Sequence, residues 1–76
     1  MNENKKKALE LFETNLNRFF NAELSEIKNR TAAKANTIFW VKQLIDVLST
    51  RKNDYMYLKQ VEEWKEVLKE VEKINN

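Results

Sequence analysis

The stretch FNAELSEIKNRTAAK, residues 20–34, decides the fold, because it determines whether the chain before residue 50 holds one helix or two. On both sides of it apolar residues recur at helical spacing. Upstream, Leu9, Phe12, Leu16, Phe19 and Phe20 share one face, flanked by Ala8 and Leu24. Downstream, Ile38, Val41, Leu44, Ile45 and Leu48 form a second stripe, which Trp40 and Val47 widen to about half the helix circumference. A helix apolar over that width is expected to touch neighbours on two sides. The stripe also keeps phase across the gap. Leu9, Phe12, Leu16, Phe20, Glu23, Ile27, Arg30, Lys34, Ile38, Val41, Ile45 and Leu48 would lie on one side of a continuous helix. Such a helix would run to about 45 residues, a length typical of coiled coils and helical oligomers. Ordinary helix lengths favour a break or kink between Asn21 and Thr31. Asn21, Ser25, Asn29 and Thr31 are candidate caps there, although none has Glu or Gln three residues on to complete a capping box.

A third segment is cleaner. Tyr57, Val61, Trp64, Leu68 and Val71 step 4-3-4-3, with Met56, Val67 and Ile74 beside them and Trp64 the largest residue of the face. The other side carries Glu62, Lys65, Glu66, Lys69, Glu70 and Lys73, a row of i,i+3 opposite charges. The polar run Ser49–Asp54 separates it from the second segment, and Asn53 or Asp54 can cap the helix that follows. So short a loop implies an antiparallel neighbour. The expected architecture is all-α: one domain over residues 1–76, with helices at about 4–22, 26–49 and 54–74 in an up-down-up three-helix bundle. The alternative is a long helix plus a return helix in a helical dimer.

Composition excludes several classes of chemistry. The 76 residues contain no Gly, Pro, Cys or His. Turns that need a left-handed residue are therefore disfavoured, and disulfides, thiol nucleophiles, imidazole catalysis and the usual zinc sites are excluded. The ten Glu and two Asp fall mainly in rows with lysines, and no phosphate loop, Glu-x-x-His or nucleophile elbow is present. No catalytic, metal-binding or cofactor-binding residues are assigned, and a non-catalytic role is expected. The 14 basic and 12 acidic residues give a net charge of +2, a mixed surface without the clustered excess of a phosphate binder. No apolar run is long enough for a transmembrane segment or a secretory signal, so a cytoplasmic location is expected. Ten Asn and eleven Lys point to an AT-rich genome, such as those of phages, plasmids or low-GC bacteria.

Glu23, Arg30 and Lys34 stand where the continuous stripe expects apolar residues. Either they lie in a solvated helix break, or they form a charged belt in which Glu23 of one chain meets Arg30 or Lys34 of another. Arg30 and Lys34 could also hold an anionic ligand. Around them, Lys28-Asn29-Arg30-Thr31-Ala32-Ala33-Lys34 resembles the basic region of basic leucine zipper proteins over five positions, the Asn-Arg-x-Ala-Ala motif. That resemblance implies nucleic-acid contacts. It ends at Asn36 and Thr37, where the family has a small residue and an Arg, and no leucine heptad zipper follows. The Lys5-Lys6-Lys7 run is unfavourable at a helix N-terminus and points to an acidic partner. Phe39 and Tyr55 lie off the apolar faces of their helices, as exposed aromatics at a contact patch do.

These features are read as a small protein that binds and modulates another protein, an accessory factor of the kind phages and mobile elements encode. The partner-binding candidates are Phe39, Tyr55, Arg30 and Lys34. A chain of this size buries only about 60% of its unfolded surface, so self-association as a homodimer is also expected, with Glu23, Trp40 and Leu44 as interface candidates. A nucleic-acid-binding accessory protein using Lys28, Arg30, Lys34 and Lys42 is the alternative, and a helical immunity-type protein a weaker one.

Overall fold

The computed structural model describes residues 2–50 and 55–74. They form three helices, α1 Glu3–Arg18, α2 Glu26–Ser49 and α3 Tyr55–Glu72, packed as a three-helix bundle. Asn2 caps α1, its side chain accepting from the Lys5 backbone N–H at 2.7 Å. Ser25 is the cap of α2 among the four candidates, accepting from the Lys28 backbone N–H at 3.2 Å. The expected caps Asn53 and Asp54 lie outside the described residues.

The single long helix does not form, since the chain breaks between Arg18 and Glu26. Among the described residues none has a positive φ, so this turn closes without the left-handed residue a Gly would supply. Asparagine side chains take over. Asn29, buried on the first turns of α2, accepts from the Asn21 backbone N–H at 2.9 Å. Its amide donates to the carbonyls of Asn21, Leu24 and Ser25 at 3.0, 3.3 and 3.2 Å. Asn21 in turn accepts from the Glu23 N–H. Helix α1 consequently stops at Arg18 rather than near residue 22, and Phe19 and Phe20 leave the apolar stripe and are exposed.

Helices α2 and α3 form an antiparallel hairpin, as the short loop implied. Lys34 meets Ile74 while Trp40 packs edge-to-face on Trp64, ring centroids 6.1 Å apart. Helix α1 lies on one half of this hairpin. Ala8 packs with Val67 and Val71, surrounded by Leu11, Ile38, Trp64 and Ile74. Phe12 is buried with the Arg30 guanidinium over its ring, and the Asn15 amide donates to Thr37 at 2.8 Å. The buried line of α2 is Asn29, Ala33, Thr37 and Val41, shifted from the apolar stripe of the sequence. Thr37 is accommodated because its hydroxyl also donates to the Ala33 carbonyl at 2.7 Å. On α3, Val61, Val67 and Val71 are buried and Trp64 only half-buried, so small residues rather than the large Trp fill the centre. The charge row forms as expected, with Glu62–Lys65, Glu66–Lys69 and Glu70–Lys73 pairs at 3.8, 3.2 and 3.5 Å. Exposed pairs of this kind contribute little to stability.

Lys34 has a structural task. Its ammonium donates to the Ile74 carbonyl at 2.9 Å, placing a cation at the C-terminal end of α3, where helix carbonyls lack partners. Lys34→Met keeps the buried stem and removes the charge. It is expected to cost about 1 kcal/mol in urea unfolding; no loss would show that this cap is energetically silent.

Candidate functional site

The feature best suited to recognition is a groove between α1 and α2, about 390 Å³ in volume. Its α1 side is Leu11, Thr14, Asn15, Arg18 and Phe19, and its α2 side is Asn36, Phe39 and Trp40. The hydrogen bond from Asn15 to Thr37 ties the two walls together beneath it. Three aromatic rings remain in solvent around this groove. Phe19 is 55%, Phe39 65% and Trp40 50% exposed. Leaving three large rings so exposed costs hydrophobic free energy that burial would recover, about 25 cal/mol per Å² of apolar surface. Arg18 supplies the one formal charge in the lining. Trp40 is held by its edge-to-face contact with Trp64, and Trp64 by the Lys7 ammonium 4.9 Å from its ring centroid. Lys7 is thus engaged within the fold.

Of the residues singled out in the sequence, Phe39 and Trp40 come together here. Tyr55 is exposed as expected but belongs elsewhere, at the start of α3. That is about ten helical residues, some 15 Å, further along the hairpin than Phe39. By its spacing Phe19 belongs to the apolar face of the first helix; its place as a groove wall follows from the early end of α1. Arg18 carried no signal in the sequence.

The polar interruption divides. Glu23 is exposed in the turn. Arg30 and Lys34 are partly buried, Arg30 over Phe12 and Lys34 on the Ile74 carbonyl, so neither is simply solvated. Arg30 also lines a second hollow of about 350 Å³ with Lys5, Leu9, Glu70, Lys73 and Ile74. There Lys73 pairs with Glu70, so the hollow contains a carboxylate as well as its cations. Lys28 and Lys42 are exposed. At 100° per residue they lie between about 80° and 160° around α2 from Arg30 and Lys34, so the four make no single basic strip. Leu44 is half-buried, between Trp40 and Val47 on one side of α2.

Among the described residues no group of carboxylates is arranged to hold a metal ion, and no helix is long and apolar enough to cross a membrane. No family model, curated protein or solved structure matches this chain.

Proposed function

We propose that this is a non-catalytic binding protein whose α1–α2 groove takes an apolar segment of a partner protein. The carrying observation is the trio Phe19, Phe39 and Trp40, large rings left half or more in solvent around one concave surface. Aromatic residues clustered at a groove are the usual anchors of protein interfaces, where a few side chains supply most of the affinity. An amphipathic helix laid between two helices is the recognition mode that fits this shape. Modulation of the partner's activity, and an origin in a phage or mobile element, belong to the same proposal. They rest on the small size, the lack of catalytic groups and the Asn- and Lys-rich composition.

The test is recovery of partner by tagged protein in its native host, followed by affinity measurement on the partner found. Phe39→Ala is expected to weaken binding about 10- to 30-fold, as loss of an interface anchor does. Lys69→Ala, on the solvated side of α3, should leave it unchanged. Equal affinity for Phe39→Ala and the unaltered chain would refute the groove as the site. Salt provides the second arm. Binding anchored on aromatics should hold between low and moderate salt, whereas a steep fall would identify phosphate-driven nucleic-acid binding instead.

A further inference from the structure

The groove between α1 and α2 carries charge of one sign. Among the described residues that line it, Arg18 is charged and none is acidic. At 100° per residue, Glu10 and Glu13 are turned about 110° and 170° around α1 from the centre of its groove face. Lys7 is on the groove side, one turn before Leu11. Its ammonium lies 4.9 Å from the Trp64 ring centroid, and Trp64 packs edge-to-face on Trp40 of the groove wall. Cations therefore flank the groove along α1, Arg18 beside Phe19 and Lys7 toward Trp40, about 16 Å apart at 1.5 Å per residue. On α3, by contrast, each of Lys65, Lys69 and Lys73 has its own glutamate. Arg18 is exposed, and among the described residues no carboxylate pairs with its guanidinium. Its place in the last turn of α1 suits the helix dipole. The dipole calls for a charge, but not for the fork of N–H donors that matches a carboxylate.

We propose that the segment taken by this groove is acidic: an amphipathic stretch of a partner protein whose apolar side chains seat among Phe19, Phe39 and Trp40 and whose Asp or Glu pairs with Arg18. This rests on the groove being the partner site and adds the charge of the partner. Docking sheds water from the rings beside the guanidinium, and a charge pair in that lower dielectric is stronger than one on open surface. A basic segment would set like charge against Arg18, so the same side chain that attracts one partner rejects the other. One such pair imposes only a shallow salt dependence, unlike the steep fall of a contact made to many phosphates.

Selection of displayed peptides on the full chain tests the proposal, with a library of amphipathic helices whose polar positions are randomised among Asp, Glu, Lys, Arg and Gln. Peptides retained by the unaltered protein should favour Asp and Glu beside their apolar anchors, and Phe39→Ala should weaken them. Arg18→Glu should weaken the same peptides about tenfold or more, and selection repeated on that variant should turn to Lys and Arg. Arg18 is exposed, so circular dichroism should stay native. Should Arg18→Glu disturb the end of α1, Arg18→Gln removes the charge alone and should abolish the acidic preference. Lys59→Glu, the same change of net charge made on the exposed side of α3, should leave affinity and preference unaltered. Phe39-dependent peptides without an acidic bias, or acidic ones indifferent to both Arg18 variants, would overturn the acidic partner and leave the groove in place. An equal loss with Lys59→Glu would overturn it too, because the attraction would then be to net charge. An absence of Phe39-dependent peptides would remove the groove itself as the site, and this proposal with it.

Discussion

Phe12→Ala is expected to remove about 3–5 kcal/mol of stability, the cost of deleting a buried aromatic side chain and leaving its cavity. Phe12 is the largest fully enclosed side chain among the described residues. Its loss would also strip the ring from beneath the Arg30 guanidinium, whose charge lies 4.9 Å from the ring centroid. At roughly 0.05–0.15 kcal/mol per residue, a chain of this length has about 4–11 kcal/mol in total. The variant should therefore be largely unfolded, or held together only by association, at a temperature where the unaltered protein is native. Urea unfolding followed by circular dichroism gives the number. Phe20→Ala is the control, because Phe20 belonged to the same stripe in the sequence but is exposed, and its cost should stay within about 0.5 kcal/mol. Equal effects at the two positions would mean that α1 buries a different face.

That contrast shows where sequence periodicity is reliable. Helix α2 was expected over 26–49 and runs Glu26–Ser49, and α3 over 54–74 against Tyr55–Glu72, because polar runs bound both. The end of α1 was misplaced for a physical reason. Phe19 and Phe20 continue the apolar spacing, so nothing local marks a stop after Arg18. The stop is made by Asn29, whose side chain reaches back eight residues to Asn21. A helix end set by such a contact is invisible to caps and spacing, and doubly so in a chain without Gly. The buried line of α2 was hidden in the same way. Asn29 and Thr37 look like solvent positions, yet each is buried with its polar atoms engaged.

The candidate site was legible in part. Phe39 stood out because it lies off the apolar face of α2, and the structure leaves it exposed. Trp40 was recognised as part of a face wider than one neighbour could cover, and it is half in solvent. Phe19 could not be placed, since its role depends on where α1 ends. Arg30 and Lys34 break the apolar pattern of the sequence, but none of the three readings of them there, a solvated break, a charged belt between chains or an anionic ligand, gives them partners within the chain. The partners are Phe12 and the end of α3, brought close only when three helices meet.

Asn29→Ala is expected to cost about 2–3 kcal/mol, although it deletes no apolar surface. Its side chain makes four hydrogen bonds, one accepted from the Asn21 N–H and three donated to the Asn21, Leu24 and Ser25 carbonyls. With no left-handed residue in the turn, these bonds fix where α1 stops and how α2 begins. Alanine would free the chain between Arg18 and Glu26, and the apolar phase that runs through it would favour helix past Phe19. The variant should therefore lose cooperativity and stability without losing helical signal, the reverse of the Phe12→Ala result. Asn29→Asp sharpens the test. It retains an acceptor for the Asn21 N–H but turns carboxylate oxygens toward three carbonyls in a buried position, so at neutral pH it should cost at least as much as alanine. Burial raises the pKa of such a carboxyl in the folded state. The protonated form can donate to a carbonyl, so this variant should regain stability as pH falls and lose it as pH rises through that raised value. Should Asn29→Asp match the unaltered protein at neutral pH, the amide donors would not be what holds the turn, and the early end of α1 would need another cause.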